Sequence, residues 1–526
     1  MKVFRLVTTP VPGRLLSDPD RLLVAGSGIG LVVACLCVLL LAGCSQPRRD
    51  GVRFGLAASP VTLDPRYATD ATSTRINQLI YRQLVDFDER FRPVPSLARW
   101  ERLSPTRYRF FLGEQGRRFH NGARLTARDV KATYDSLLEP ANGSPHRGSL
   151  EMIKHIKVLD EDTVDFDLTR PDPMFPGRLG IGILPETLIE RGHAFGTRPV
   201  GSGPFVFVDW PDEGRLQLRR VSDGLKVEFL RVKDPTMRVL KLVRGEIDML
   251  QGDLPPELVR WLGERHDVQV ETGRGTTFAY LGFNMDDPVV GKLLVREAIA
   301  HAIDRGSIIR YVMGGGARPA NALLPPAHWA GNPALTPVAY DPQLSRELLK
   351  RAGYGPDHPL HVVYKTSSDP FRVRLATILQ DQLARVYIDV ELRTYDWGTF
   401  YGDIKAGRFQ MYSLAWVGVK MPDIFRYAFH SRSIPPAGAN RGRFVDATAD
   451  RLIEKAEGTF SRARRARLYR RLEGELLQEL PYVPLWYEDN VFAARRSIHG
   501  YELASDGNYD ALARVRRVPE EDHVPE

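Results

Sequence analysis

An α/β fold is what this sequence predicts, and three observations carry the expectation. Strand-like and helical segments alternate, most plainly in "HVVYKT" (361–366), then "VRLATILQDQLARV" (373–386), then "DVELRTYD" (389–396), a β-α-β rhythm. The 526 residues are 43% hydrophobic and 26% charged, a globular composition long enough for more than one domain. The 45 glycines and 38 prolines are dispersed, with no internal repeat and no low-complexity tract.

The elements follow in order. "GVRFGLAASPVTLDP" (51–65) reads as a strand entering a proline-bounded turn. "ATSTRINQLIYRQLVDFD" (71–88) puts Ile76, Leu79, Ile80 and Leu84 on one helical face. "RYRFFL" (107–112) is a strand, and "LTARDVKATYDSLLEP" (125–140) a helix with Thr126 as N-cap and Asp129 three residues on. "VGSGPFVFVDW" (200–210) turns on glycines into alternating apolar residues, and "TTFAYLGFNM" (276–285) is a second apolar-aromatic stretch. "LVREAIAHAIDRGSIIRYVMGGG" (294–316) reads as one helix with a glycine stop, and "YDPQLSRELLKRAGY" (340–354) as another, opened by Asp341-Pro342 and closed by Gly353. "SRARRARLYRRLEGELLQEL" (461–480) places Tyr469, Leu472, Leu476 and Leu480 at helical spacing, with its arginines as the solvated face.

Charge narrows the partners. The formal net charge of +8 is scattered among 65 acidic residues, with no basic tail or aromatic-interleaved patch, so no nucleic-acid partner is expected. All three cysteines, Cys35, Cys37 and Cys44, lie in the first 44 residues, which excludes an internal disulfide or thiolate metal site beyond them. Ahead of an apolar run from Leu22 to Ala42 stand Lys2, Arg5, Arg14 and Arg21. A positive flank, an apolar stretch and a small-residue site describe an export signal, although the run is also long enough to span a bilayer uncleaved. "LLAGC" (40–44) resembles the lipobox of bacterial lipoproteins, in which residues 1–43 are removed and Cys44 carries the lipid. No comparable apolar run follows, so the rest is expected to be soluble on a lipid tether in the cell envelope.

Catalytic and cofactor signatures are missing. There is no H-E-x-x-H, no G-x-x-x-x-G-K-[ST], and no pair at ligand spacing among twelve histidines. "GGG" (314–316) reads as a helix-ending turn and His120 as a packed or turn histidine. No two carboxylates are set out as acid and base. Neither an enzyme nor a cofactor is expected.

Several stretches together resemble one family, the substrate-binding proteins of peptide and nickel ABC importers (extracellular solute-binding proteins, family 5). They are "FHNGARLTARDVKATYDSLLEP", "PVGSGPFVF", "LGFNMDDPVVGKLLVREAIAHAIDRGSIIRYVMGGGARPANALLPP", "YDPQLSRELLKRAGY" and "LPYVPLWYED", in the family's order from about residue 52 to 510. The resemblance implies a two-lobed periplasmic-binding-protein fold (type II, cluster C) with an extra subdomain in lobe 1. Lobe 1 would be 45–275 plus 482–526, with the subdomain at about 86–196, and lobe 2 would be 276–481. "AYLGFNM" and "LPYVPLW" would be the hinge crossings. It further implies a monomer that closes on a peptide or small-molecule ligand and hands it to ABC permease subunits.

By the same resemblance the ligand residues are Tyr67, Thr69 and Asp70 after "TLDPR", Tyr280 and Asn284 at the hinge, then Trp397 and Trp416 with "LAWVGVKMPDIF". Aromatic walls accept varied side chains while a few polar groups fix orientation. One departure stands out. The family's peptide binders carry an aspartate three residues after that tryptophan, for the ligand's ammonium; Val419 stands there instead. Either Asp423 or Asp70 replaces it, or the ligand has no free amine. Lys420, Arg426 and Arg441 would suit an anionic group, and the alternative cargo is a non-peptide anionic solute: an oligosaccharide, an opine-like acid or a metal chelate. An envelope lipoprotein with a scaffold role is the competing class.

Overall fold

The computed structural model describes residues 51–252 and 254–518. The leader 1–43 and Cys44 lie outside them.

Val52 and Phe54 alternate inward on the first strand, Gly51–Leu56, which pairs in parallel with Lys226–Arg231 and with Met249–Gln251. The first helix, Ala71–Ile80, starts where Asp70 accepts a hydrogen bond from the Ser73 N–H, and it buries Ile76, Leu79 and Ile80. The helical pattern over 71–88 is cut short at Ile80. Its carbonyl accepts from the Gly203 N–H at 2.7 Å, and Tyr81 turns extended. Gly203 lies so close to this helix end that a Cβ would sit 2.4 Å from the Leu79 oxygen, which explains the glycine turn of "VGSGPF". Val85–Phe87 then pairs with Pro93–Pro95 as a short antiparallel ribbon.

The main sheet has eleven strands among the described residues. From edge to edge these are Ile388–Tyr395, Leu360–Ser367, Met411–Trp416, Val268–Phe283, Tyr482–Arg495, Met249–Gln251, Gly51–Leu56, Lys226–Arg231, Arg215–Arg220 and Phe205–Asp212, with Ala317–Pro319 added to Tyr482–Arg495. Two long antiparallel strands, Val268–Phe283 and Tyr482–Arg495, run through its middle and serve both halves. On one half the core holds Phe54, Phe205, Phe229 and Tyr501; on the other, Leu281, Ile299, Leu379 and Val483.

A second, four-stranded antiparallel sheet is ordered Ala98–Ser104, Arg107–Leu112, Thr163–Leu168, Ile153–Val158. Helix Ala127–Leu138 covers it, opened by the expected capping box of Thr126 and Asp129. Phe110, Tyr134, Phe166 and Phe175 give this layer a core of its own. Each large apolar side chain fully removed from water contributes roughly 1.5–3 kcal/mol.

The stretch 294–316 is not one helix. Leu293–Ala302 ends at Ile303, a short turn of helix Arg305–Ser307 begins under an Asp304 cap, and a π-helical turn Ile308–Val312 follows. The Asp304 carboxylate takes both the Ser307 N–H and its hydroxyl, which favours a new start over continuation. Helix Pro342–Arg351 is capped by Asp341 as expected, and Gly353 follows it at φ +94°. Helix Arg462–Glu479 buries Tyr469, Leu472 and Leu476. Its arginine face has one exception: Arg465 is buried, its guanidinium 5.3 Å from the centre of the Trp329 ring.

Candidate functional site

A cluster of rings surrounds one buried guanidinium. The loop 437–444 is held by Asn440, whose Nδ2 donates to the His430 and Phe444 carbonyls while Oδ1 accepts from the Phe444 N–H. Arg441 extends from this braced loop. Its Nη1 donates to the Tyr280 hydroxyl at 3.3 Å and its Nη2 to the Tyr401 hydroxyl at 3.1 Å. The guanidinium carbon lies 4.9 Å from the centre of the Trp416 ring and 5.4 Å from that of Tyr401. Burial works against this charge, but the oxygens of Tyr280, Tyr412, Tyr482 and Tyr401 outweigh it, and the Arg441 pKa is raised.

The sheet supplies the rings. Tyr280 on Val268–Phe283 stacks on Tyr482 at 3.9 Å and meets Tyr412 edge-on at 5.9 Å. Gly282 makes room for this: a Cβ there would lie 2.5 Å from the Tyr412 ring. Trp416 ends strand Met411–Trp416, and its buried Nε1–H has no hydrogen-bond partner. Trp397 is 59% exposed and stacks on Tyr401 at 5.4 Å, so Tyr401 has Trp397 on one contact and Arg441 on another.

The segment after Trp416 is tied to distant parts of the chain. Val419 is half-buried against the core cluster that contains Trp416. Lys420 pairs with Asp506 at 2.7 Å; burial opposes its charge, and Asp506 overcomes this and raises the pKa. Its carbonyl accepts from His328 Nε2 at 3.2 Å, while His328 Nδ1 accepts from the Ala330 N–H. Burial pushes His328 down to about 4, so the ring is neutral and this tautomer follows. Asp423 accepts from Arg178 Nη1 at 2.8 Å, and the same guanidinium holds Asp172 through Nε at 2.6 Å. Burial raises the Asp423 carboxyl against the pull of Arg178. Arg426 is matched with Glu457 at 2.7 Å.

The other expected positions have different partners. Asp70 caps the first helix, Tyr67 lies exposed with Arg66 at 5.6 Å from its ring centre, and Thr69 is exposed. Asn284 spends its amide locally, donating to the Gly407 and Phe409 carbonyls and accepting from the Asp286 N–H. Of the expected residues, then, Tyr280, Trp397 and Trp416 join the Arg441 cluster. Tyr401, Tyr412 and Tyr482 were not singled out as site residues. Tyr482 alone had a signal, in the hinge stretch "LPYVPLW".

A cavity of about 670 Å³ opens elsewhere, lined by Arg82, Arg117, His120, Arg124, Ser202 and Arg220 among others, all from residues 82–222 except Ala513. His120 Nε2 lies 3.1 Å from the Gly203 carbonyl there. Among the described residues no His, Cys, Asp or Glu group is arranged to hold a metal ion, and no helix is long and apolar enough to cross a membrane.

The profile of the bacterial extracellular solute-binding proteins, family 5 Middle, matches residues 92–434. This chain belongs to that family. Among family relatives, it is 28% identical over 493 residues to di/tripeptide-binding protein 2 of Pseudomonas aeruginosa, covering 85% of this chain and 91% of the relative. It is 26% identical over 504 residues to heme-binding protein A of Haemophilus influenzae, covering 87% and 91%. The ABC transporter-associated periplasmic binding protein DppA from Helicobacter pylori, solved in complex with the peptide STSA, superposes with a TM-score of 0.77 at 26% identity, covering 89% of this chain and 98% of that one. The fold is the mixed α/β periplasmic-binding-protein fold that the motifs imply. Family members are substrate-binding transport proteins.

Proposed function

We propose that this chain is the lipid-anchored solute receptor of an ABC importer, capturing a peptide or related small solute by cleft closure and delivering it to membrane permease subunits. The lobes we assign are 45–275 with 482–526, including a subdomain at about 86–196, and 276–481. The shared strands Val268–Phe283 and Tyr482–Arg495 are the connections between them. Cys44 is the lipidated residue and holds a monomer at the envelope.

The observation that carries this reading is the segment 416–423. Trp416 walls the ring cluster, while Lys420 and Asp423, a few residues on, pair with Asp506 and Arg178 of the other assigned lobe. One short stretch therefore touches both the ring cluster and the opposing assigned lobe. Closure over a solute excludes water from the rings and forms these pairs, and a permease distinguishes the closed form by its surface. No bond is made or broken in the cargo.

Val419 favours a second reading of the cargo. With no carboxylate at 419 and Asp423 held by Arg178, a buried ammonium has no evident partner, and an uncompensated one costs several kcal/mol. A non-peptide anionic solute fits that constraint. Mass spectrometry of whatever is released when the purified protein is denatured tests both readings: a small solute is expected, and a protein that never carries or binds one would be a scaffold.

A further inference from the structure

Arg441 differs from Arg296, Arg305 and Arg178 in what surrounds it. Arg296 donates to the carbonyls of Val290, Gly291 and Glu479, and Arg305 to those of Pro484, Ala300, Ile303 and Val338. Arg178 holds two carboxylates. Arg441 is 8% exposed, and its hydrogen bonds go to two neutral phenol oxygens. Five N–H groups on a guanidinium leave donors beyond those two. Among the described residues no carboxylate forms an ion pair with it, whereas the neighbouring cations Lys420 and Arg426 are matched by Asp506 and Glu457.

The group beside it also lacks an acceptor. The Trp416 indole is a donor only, its Nε1–H is buried without a partner, and its ring lies against the Arg441 guanidinium. A buried cation that no carboxylate pairs with, next to an orphaned donor, matches a ligand that supplies oxygens with negative charge. The walls fit the same ligand, since Trp416, Tyr401 and Trp397 present flat faces that tolerate varied shapes.

We infer that the cargo presents a carboxylate or a similar planar oxyanion to Arg441, with Trp416 Nε1–H as a further donor and the rings of Trp416 and Tyr401 as its walls. This rests on the receptor reading and deepens it. For a peptide the oxyanion is the C-terminal or a side-chain carboxylate; for a non-peptide solute it is the acid group itself.

The test uses the full chain in detergent, with solute removed by reversible denaturation. Solute released from the wild type is identified by mass spectrometry, and calorimetry follows trialanine, trialanine amide and tricarballylate. The released solute should bear an acidic group. Trialanine should bind at least tenfold tighter than its amide, or tricarballylate should bind where trialanine does not; the two results separate a peptide from a non-peptide acid. Arg441→Gln should remove most of that preference. Trp416→Phe, which keeps the ring and deletes only the donor, should weaken acid binding several-fold and guards against misfolding of the arginine variant. A released solute without an acidic group, or equal binding of acid and amide to the wild type, overturns the inference and leaves the receptor standing. A protein that carries no solute and binds none of the probes overturns both.

Discussion

Arg178 and Asp423, 245 positions apart, meet through Nη1 and Oδ2 at 2.8 Å, and Asp172 shares the same guanidinium. Arg178 belongs to the layer built on the small sheet, Asp423 to the loop that follows Trp416. Their contact therefore reports whether two assigned lobes are together. Asp423→Asn removes the charge while Asp172 still satisfies Arg178. It should weaken cargo binding about tenfold, on the scale of ~1.4 kcal/mol, chiefly through faster release. Stopped-flow tryptophan fluorescence measures the release rate, and an unchanged rate would remove this pair from the closing step.

Glu473 is 1% exposed; its Oε1 accepts from the Leu324 N–H while Oε2 has no partner. Burial lifts its carboxyl to about 8, so it is protonated in the native state at neutral pH. In the unfolded chain it ionises near pH 4.5. The native state alone then keeps the proton, and stability falls as pH rises from about 4.5 to 8. Glu473→Gln should raise stability by ~3 kcal/mol at pH 7, with no gain below about pH 4. Urea unfolding across that range measures it; a gain independent of pH would argue for packing rather than protonation.

Val419 is the position where an added carboxylate should change the cargo. Val419→Asp should strengthen a free-amine tripeptide over its N-acetyl form by ~1–3 kcal/mol, the scale of a hydrogen bond to a charged group. Acidic solutes should weaken, because the new carboxylate repels them at short range. Calorimetry with the matched peptides decides it. A wild type that already prefers the free amine tenfold, and loses this in Asp423→Asn, would show that the ammonium site had moved to Asp423.

Cys44→Ser should leave an unprocessed or soluble protein if that cysteine bears the lipid. Detergent partitioning and N-terminal mass separate the outcomes. A parent and a variant that partition alike and both retain residues 1–43 would make Leu22–Ala42 an ordinary membrane helix.

Helix starts were legible because their physics is local. Asp70 and Asp341 each accept from an N–H three residues on, and Asp129 accepts from the Thr126 N–H three residues back, all within one turn of chain. The helix end at Ile80 was not legible, since its carbonyl is taken by the Gly203 N–H from the glycine turn before strand Phe205–Asp212, far along the sequence. The break at Asp304 was missed for another reason: apolar spacing continues through it while a local cap competes. The family, the α/β class and the order of elements follow from the ordered motifs and the periodicity. The tertiary structure alone decided which of three cations lacks a carboxylate partner among the described residues. Lys420, Arg426 and Arg441 are equivalent as residue types, and each partner, Asp506, Glu457 or the Tyr280 and Tyr401 hydroxyls, arrives from a distant segment. Charge pairing depends on distance in space, and the fold sets that distance.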